Sequence, residues 1–163
     1  MVALDWKKAF DSIHVGAMLN ALRAFGVPES MLHMIGKIYE NRYFCVADGR
    51  ITSQSRPQES GISQGCPLSP FLFVMVMSVV IREARNKLPA DAREALDEGQ
   101  ISILLYADDT LLVGTSQHYL QLLLEAVAGA GKMFGMDLHW DKFQLMCVKC
   151  DIQLVAPGSA AGK

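Results

Sequence analysis

This chain of 163 residues lacks an excess of basic residues. Its 15 lysines and arginines stand against 17 aspartates and glutamates, which gives a net charge of −2. That sum provides no overall basic footprint for nucleic acid, although a local patch can exist within a neutral chain. Disorder and low complexity are excluded, because 51% of the residues are hydrophobic and only 20% are charged. A chain of this size buries a substantial core and forms about one domain.

Cysteines, secretion signals and long apolar runs are also scarce. Four cysteines are too few for a disulfide-built fold, and the chain has no N-terminal signal peptide and no N-x-S/T sequon. These absences predict an intracellular, reducing setting, with nothing to choose between nucleus and cytoplasm. The longest apolar run, residues 71–81, has 11 residues with Ser78 inside it, whereas a membrane helix needs ~20. It predicts one buried helix, so no membrane partner is expected.

The spacing of apolar residues predicts four main helices. The first follows Ser12 and ends at Gly26, a natural C-cap, and the second begins at Pro28, since proline suits the first turn. The third follows Pro67 and Pro70 and ends near residue 87, and the fourth covers residues 117–134. The polar, acidic residues 88–99 are predicted to form a mobile insert.

Short apolar runs predict the strands. They are residues 1–4, a hairpin over 42–47 and 51–55 that turns at Asp48-Gly49, residues 101–105 and 111–115, and a last pair within 136–149. Strands and helices mixed in this order predict an α+β fold, in which helices pack on one face of an antiparallel sheet.

Three aspartates stand at predicted strand ends. Asp108 and Asp109 are neighbours in a tight turn between two apolar strands, and Asp5 ends the first strand. One interpretation is that the aspartates in such a turn only form hydrogen bonds to the nearby backbone. At the edge of a buried sheet, however, two adjacent carboxylates repel each other unless a cation lies between them. Mg²⁺ takes such oxygen ligands, commonly one or two carboxylates together with substrate phosphates.

Three segments resemble the palm motifs of reverse transcriptases. Residues 106–109 (YADD) resemble the family's signature turn, residues 5–11 (DWKKAFD) its first palm motif, and residues 61–70 (GISQGCPLSP) the next. The wording is closest to the enzymes of non-LTR, LINE-type retrotransposons, with group II intron enzymes close behind. The motifs occur in the family's order and roughly at its spacing, and the resemblance extends over about residues 2–149.

The resemblance implies a two-metal site. Asp5 and Asp108 would hold two Mg²⁺ ions, with Mn²⁺ as an alternative, and Asp109 would assist. Phe10 would stack under the sugar of the incoming nucleotide and leave no room for a 2′-hydroxyl, although without the motif a core aromatic is the favoured interpretation. Asp11, the second acid of the first motif, is expected to cap the helix that follows it.

The resemblance also implies contacts to nucleotide and template. Gln64 and Gly65 belong to the contact loop, in which glycines let the backbone approach a ligand closely. Residues 135–142 resemble a fourth palm motif, in which Lys142 matches a lysine near the triphosphate. His139 and Phe143 replace the family's usual asparagine and threonine there. Without the motif, Lys142 fits a solvated surface charge.

By this resemblance the chain is a fragment of an RNA-directed DNA polymerase, with an RNA template, a DNA primer and deoxynucleoside triphosphates as partners. Residues 1–150 would form the palm, with fingers and thumb missing, and residues 151–163 a disordered tail. The isolated chain is expected to be inactive. Two alternatives remain open: a non-catalytic palm that binds nucleic acid or serves as a scaffold, as in a domesticated or decayed element, and a generic Mg²⁺-dependent nuclease or phosphatase.

Overall fold

The computed structural model describes residues 1–157. Within them the helices are α1 (Ala9–Ser12), α2 (Val15–Phe25), α3 (Glu29–Tyr39), α4 (Ser69–Lys87), α5 (Ala90–Asp97) and α6 (Gln117–Met133). The strands are β1 (Val2–Leu4), β2 (Tyr43–Phe44), β3 (Ala47–Asp48), β4 (Ile51–Thr52), β5 (Arg56–Pro57), β6 (Ile101–Tyr106), β7 (Asp109–Gly114) and β8 (Gln144–Leu145). A 3₁₀ turn covers Trp140–Lys142.

The main sheet has four strands in the order β6-β7-β1-β8, and every neighbouring pair is antiparallel. Strand β1 lies in the middle, where Val2 pairs with Leu112 and Leu4 with Thr110. Both partners of β1 come from the other end of the chain. The predicted α+β class with an antiparallel sheet is therefore confirmed.

One face of the sheet is buried against the helices. Val2, Leu4 and Leu112 are almost fully buried there, because α6 packs on β7 while α4 packs on α6 and α2 on α4. The opposite face carries Leu104 and Tyr106, whose exposures are 57% and 82%. Helices thus cover one face, as the sequence predicts, and burial of that apolar face is the main stabilising term.

The predicted mobile insert at residues 88–99 is wrong. This segment contains α5, which packs on α6 and β6. Ala92 and Ala95 are buried on one side of α5, with the polar residues on the other, and Leu88, which precedes the helix, is also buried. An exposed ion pair of 2.8 Å between Arg85 and Asp97 links α5 to the end of α4. The acidic composition reflects the solvated face of a short helix.

The predicted final pair of strands within residues 136–149 is also wrong. Only β8 forms there, and it pairs with β1. The segment before it is the 3₁₀ turn, preceded by a single bridge between Trp6 and Leu138. The hairpin predicted over residues 42–55 forms as two short ladders, β3 with β4 and β2 with β5, and β5 lies just beyond the predicted returning strand. The tip follows Asp48, and Gly49 takes the left-handed φ of 58° that such a turn requires.

The described part of the C-terminal segment, residues 151–157, has no helix or strand. It lies along α6, where Gln117 donates to the carbonyl of Gln153 and Gln121 exchanges two hydrogen bonds with the backbone of Val155. The rest of the tail for which disorder is predicted, residues 158–163, lies outside the described residues. No helix within residues 1–157 has the length and hydropathy needed to cross a bilayer.

Candidate active site

An open cleft of about 600 Å³ lies where β1 ends, beside the β6–β7 turn. Five of the predicted site residues line it: Asp5, Phe10, Gln64, Asp108 and Lys142. They come from four separate parts of the chain, so the fold brings together what the motifs leave far apart. The other two predicted site residues, Asp109 and Gly65, directly follow Asp108 and Gln64 in the sequence, and both are exposed.

Sheet register places Asp5 beside the aspartate pair. Leu4 is paired with Thr110 in an antiparallel ladder, so the next step of the same register sets Asp5 alongside Asp109. The carbonyl of Asp5 accepts a hydrogen bond of 2.8 Å from the amide of His139. The backbone that carries this carboxylate is therefore held on both sides, and its side chain keeps an exposed fraction of 31%.

Asp108 stands in a two-residue hairpin turn. Tyr106 and Asp109 form the last pair of the β6–β7 ladder, so Ala107 and Asp108 make the turn itself. Ala107 has a left-handed φ of 52°, a conformation that costs an alanine on the order of 1 kcal/mol. The turn directs Asp108 into the cleft, where it is half-buried, and leaves Asp109 exposed.

Lys142 forms an ion pair with Asp5. Its Nζ lies 3.0 Å from Oδ2 of Asp5, so the lysine is a member of the cleft and not an isolated surface charge. The 3₁₀ turn positions it, because the amide of Lys142 donates to the carbonyl of His139 at 2.9 Å. The ammonium group shows that a cation fits against this carboxylate.

The acidic residues fit a divalent ion only in part. Asp5 and Asp108 present hard oxygen donors to one cleft, which matches Mg²⁺ when water and substrate phosphate supply the remaining ligands. Across the described residues, no three His, Cys, Asp or Glu side chains are grouped so that they alone could hold a metal. The donor set therefore suits an ion that arrives with a phosphate ligand, and not a preformed protein cage.

Phe10 is shared between the cleft and the core. It lines the cleft, and its ring stacks on Phe73 of α4 with centroids 4.2 Å apart and planes 12° from parallel. The two interpretations of this residue are therefore compatible: one face of the ring packs on the core and the ring still borders the cleft. Its rotamer is fixed by packing, which limits how far it can yield to a ligand.

The glycine loop, residues 60–65, lies against α1. Gly61 has φ of 94°, and a Cβ there would lie 2.9 Å from the Cα of Asp11. The close approach that this glycine permits is therefore to the backbone of α1. Gln64 turns its amide toward Oδ1 of Asp11 at 3.4 Å. Gly65 has φ of 84° and open space around its Cα.

Asp11 does not cap the following helix, contrary to the sequence-based expectation. It lies inside α1, and the N-cap of α2 is His14, which makes no side-chain capping hydrogen bond. The chain forms an extra short helix between β1 and α2, and Asp11 projects from it toward Gln64. Its carboxylate therefore serves the loop.

The aspartates have buried neighbours that the sequence does not identify as part of the site. Trp6 and Thr110 are both buried and share a hydrogen bond of 3.0 Å, and Gly131 of α6 faces the Trp6 ring. A tryptophan directly after a candidate metal ligand, and a threonine in an otherwise apolar strand, were the available signals. Neither reveals its partner, because the two residues are 104 positions apart.

A second cavity of about 590 Å³ lies between α2 and α3. A hydrogen bond from Arg23 lowers the pKa of Glu29 there and raises that of Arg23, and a hydrogen bond from Lys37 lowers the pKa of Glu40. These are solvent-exposed ion pairs, which contribute little. This cavity receives no carboxylate from a strand end, so the cleft at Asp5 is the better candidate for chemistry.

The chain is similar to known proteins in both sequence and fold. The family model described as reverse transcriptase (RNA-dependent DNA polymerase) matches residues 1–156. The chain is 30% identical over 139 residues to the Retrovirus-related Pol polyprotein from type-2 retrotransposable element R2DM of Drosophila melanogaster, covering 85% of this chain and 13% of that protein. It is 33% identical over 113 residues to the type-1 retrotransposable element R2 polyprotein of Popillia japonica, covering 69% and 18%.

The RNA-directed DNA polymerase from mobile element jockey of Drosophila melanogaster is 30% identical over 138 residues, covering 84% of this chain and 14% of that protein. The chain thus spans less than a fifth of the length of these three relatives. Among solved structures, apo telomerase from Candida tropicalis matches with a TM-score of 0.71 at 12% identity, covering 92% of this chain and 31% of that one. That match shows a shared fold. With a family model that covers nearly every residue, the chain belongs to the reverse transcriptase family and is similar to its non-LTR retrotransposon members.

Proposed function

We propose that residues 1–150 form the palm of an RNA-directed DNA polymerase. This polymerase adds deoxynucleotides to the 3′-hydroxyl of a DNA primer on an RNA template. The observation that carries the proposal is the convergence of Asp5 and Asp108 on one cleft, with Phe10 and Gln64 on its walls. Family membership and the similarity to the RNA-directed DNA polymerase from mobile element jockey support it.

The acidic residues would hold two Mg²⁺ ions, or Mn²⁺, with Asp5 and Asp108 as ligands and Asp109 assisting. When bound, such ions lower the pKa of an attacking hydroxyl and stabilise charge on the reacting phosphate and the leaving group. The chain's own part is placement. Asp5 is held by the β1 ladder and by His139, and Asp108 by the hairpin turn. Ligands on rigid elements keep the alignment that in-line displacement requires.

The remaining cleft residues would select and orient the nucleotide. Phe10 would lie under the sugar and, because Phe73 backs its ring, would exclude a 2′-hydroxyl. That group distinguishes RNA from DNA building blocks. Gln64 and Gly65 would contact the nucleotide or template. Lys142 would move from Asp5 to the triphosphate once divalent ions neutralise the carboxylate.

One observation favours a second candidate, a non-catalytic palm that binds nucleic acid or serves as a scaffold. Lys142 already neutralises Asp5, and no group of side chains in residues 1–157 could hold a metal by itself. In that case the cleft would keep its fold without binding ions. A template-independent nuclease or phosphatase is less well supported, because it gives Phe10 and the glycine loop no role.

The proposal is tested in a hybrid protein, because the chain spans only part of its relatives. Residues 1–149 replace the matching segment of the jockey polymerase, and deoxynucleotide incorporation is measured on a primed RNA template. Asp108→Asn should lower kcat by about 100-fold or more, since losing a metal ligand costs several kcal/mol of transition-state stabilisation. Asp91→Asn, at an exposed site in α5, is the matched control and should leave kcat unchanged.

The outcomes separate the candidates. Template-dependent extension that Asp108→Asn abolishes supports the polymerase. Activity within a few-fold of the unsubstituted hybrid in the Asp108→Asn protein rejects this residue as a metal ligand. A folded hybrid that binds the primed template and incorporates nothing supports the non-catalytic palm.

A further inference from the structure

Arg42 connects the end of α3 to the glycine loop. Its Nη1 donates a hydrogen bond of 2.7 Å to the hydroxyl of Ser63. Its Nη2 donates one of 2.7 Å to the carbonyl of Gly61, and the carbonyl of Ser60 is more distant at 3.5 Å. One planar guanidinium therefore holds two points of the loop, two residues apart. Arginine suits this task, because its donors form a rigid fork.

The guanidinium of Arg42 is partly buried against an aromatic ring. Its guanidinium carbon lies 4.3 Å from the centre of the Tyr39 ring, and Tyr39 is buried. No carboxylate in the described residues forms an ion pair with Arg42, and its Nε is buried without a hydrogen-bond partner there. Arg50 and Arg56, in contrast, are exposed. Arg42 is therefore the hairpin arginine that turns toward the glycine loop.

The loop is fixed on its other side by α1. The amides of Gly61 and Ile62 donate to the carbonyls of Ile13 and Phe10 at 2.8 and 2.6 Å. The hydroxyl of Ser60 donates to the carbonyl of Asp11 at 2.9 Å. These contacts hold the first half of the loop but reach no further than Ile62.

The second half of the loop depends on Ser63. Its hydroxyl is held by Arg42, and its carbonyl accepts a hydrogen bond from the Ser69 hydroxyl at the start of α4. Gln64 follows directly and is exposed. Its own contact to Asp11 is long at 3.4 Å, so the backbone of Ser63 sets where Gln64 points.

We propose that Arg42 is a positioning residue: through Gly61 and Ser63 it fixes the loop so that Gln64 faces the bound deoxynucleotide. The nucleotide part of this inference rests on the proposed function. We expect no contact between Arg42 and substrate, because both of its Nη nitrogens already donate to the loop and its Nε is buried. What matters is the fork geometry, and positive charge alone does not replace it.

The first experiment uses the chain itself and requires no activity. Hydrogen exchange is measured at the amides of residues 61–65 in Arg42→Lys, Arg42→Met and Ser63→Ala. Arg50→Met, at the exposed hairpin tip, is the control. We expect exchange about tenfold faster in both Arg42 variants, because each loses a bidentate charge-assisted contact. Ser63→Ala should show a smaller increase, and Arg50→Met none.

Exchange of the β1 and β7 amides serves as the internal reference. It should stay unchanged, which separates local loosening of the loop from general destabilisation. If Arg42→Met does not fold, Arg42→Lys and Ser63→Ala still decide. Unchanged exchange at residues 61–65 in these variants would overturn the inference.

The second experiment measures nucleotide kinetics in the jockey hybrid. We expect Arg42→Lys and Arg42→Met to raise the KM for the deoxynucleotide by about tenfold, with a smaller fall in kcat and an unchanged Kd for the primed template. The dependence of template binding on salt should keep its slope. A merely structural role would lower the active fraction, and hence kcat, without raising KM.

A direct contact between Arg42 and a phosphate predicts the opposite result. Arg42→Lys would then retain most of the parental KM, and Arg42→Met would reduce the salt slope by about one. That outcome overturns the positioning role. If the unsubstituted hybrid is inactive, the proposed function fails, while the exchange experiment still decides whether Arg42 orders the loop.

Discussion

The indole N–H of Trp6 donates a hydrogen bond of 3.0 Å to Oγ1 of Thr110 in the buried layer beneath the cleft. Trp6 directly follows Asp5, and Thr110 directly follows Asp109. The bond therefore joins the segment after β1 to β7, one residue away from Asp5 and from Asp109. Trp6 also packs on Gly131, where a Cβ would lie 2.3 Å from its ring. The indole therefore contacts both the sheet and α6, next to the two segments that carry Asp5 and Asp109.

The first prediction concerns this hydrogen bond. Thr110→Val keeps the shape of the side chain but leaves the buried indole N–H unpaired, so the free energy of unfolding should fall by about 1–3 kcal/mol. Trp6→Phe should cost more, because it also removes ring volume from the core. Urea denaturation of both variants and of the double variant measures the coupling energy.

The two changes should not be additive, because once either partner is lost the other has no bond to lose. Thr52→Val, on the exposed β4 strand, is the control and should stay within about 0.5 kcal/mol of the parent. Strict additivity in the double variant would show that the bond contributes nothing to stability.

The second prediction compares two glycines of α6. Gly131→Ala would place a methyl group into the Trp6 ring, so it should destabilise the fold by about 1–3 kcal/mol. Gly129→Ala has its nearest neighbour, Nζ of Lys87, at 3.9 Å. It should instead stabilise the helix by about 0.5–1 kcal/mol, because alanine loses less backbone entropy on folding.

Thermal unfolding of the two glycine variants gives the comparison, and the two melting temperatures should move in opposite directions. Equal shifts would mean that Trp6 can yield, and that the fit between α6 and the indole does not constrain the sequence.

The third prediction concerns competition for Asp5. Lys142→Gln removes the ammonium group 3.0 Å from the Asp5 carboxylate, so Mn²⁺, used as a probe, should bind the isolated chain more tightly. The pair is partly exposed, so an effect of about 0.2–1 kcal/mol, or roughly 1.5- to 5-fold in Kd, is expected. Electron paramagnetic resonance titration provides the measurement.

Lys132→Gln, at an exposed position in α6, makes the same change of net charge and should leave the Kd unaffected. In the hybrid polymerase, Lys142→Gln should lower incorporation, because the lysine would no longer be available to the triphosphate. Weaker Mn²⁺ binding in Lys142→Gln would show that the lysine does not compete with the ion.

The fourth prediction is that the 163-residue chain by itself extends primers poorly. Its net charge of −2 disfavours duplex binding, which depends on the neutralisation of phosphates. Its cleft is open, and correct alignment can supply about 7–11 kcal/mol of a rate enhancement. Incorporation of deoxynucleotides by the purified chain on a primed RNA template, at several salt concentrations, provides the test. Robust extension that Asp109→Ala abolishes would contradict the prediction.

Local sequence patterns predict much of the fold. The boundary of α2 at Gly26 follows from its left-handed φ of 100°, and the long helix α4 ends at Lys87, where the sequence predicts its end. Gly49 and the aspartate pair mark their turns for similar reasons. These features depend on a residue's own backbone preferences and on neighbours a few positions away, which the sequence contains directly.

The prediction from composition is wrong for α5, a short helix with one buried face and one solvated face. The acidic residues in 88–99 predict a mobile insert, yet the segment forms α5, which buries Ala92 and Ala95, and Leu88 just before the helix is buried as well. The value of that docking depends on α6 and β6 being in place to receive it. No local property of the segment reports whether such a surface exists.

The sequence by itself determined the family and the alternation of strands and helices, and it predicts the aspartate site, because motif wording and periodicity are properties of contiguous residues. Only the tertiary structure decided which of these residues meet. The Trp6–Thr110 bond, the Lys142–Asp5 pair and the inward turn of Arg42 each join segments that the chain separates widely. The pairing of β1 with β7 and the bridge between Trp6 and Leu138 bring the first two together, and the loop held on α1 brings Ser63 to Arg42. The energy of such contacts exists only after the fold has formed.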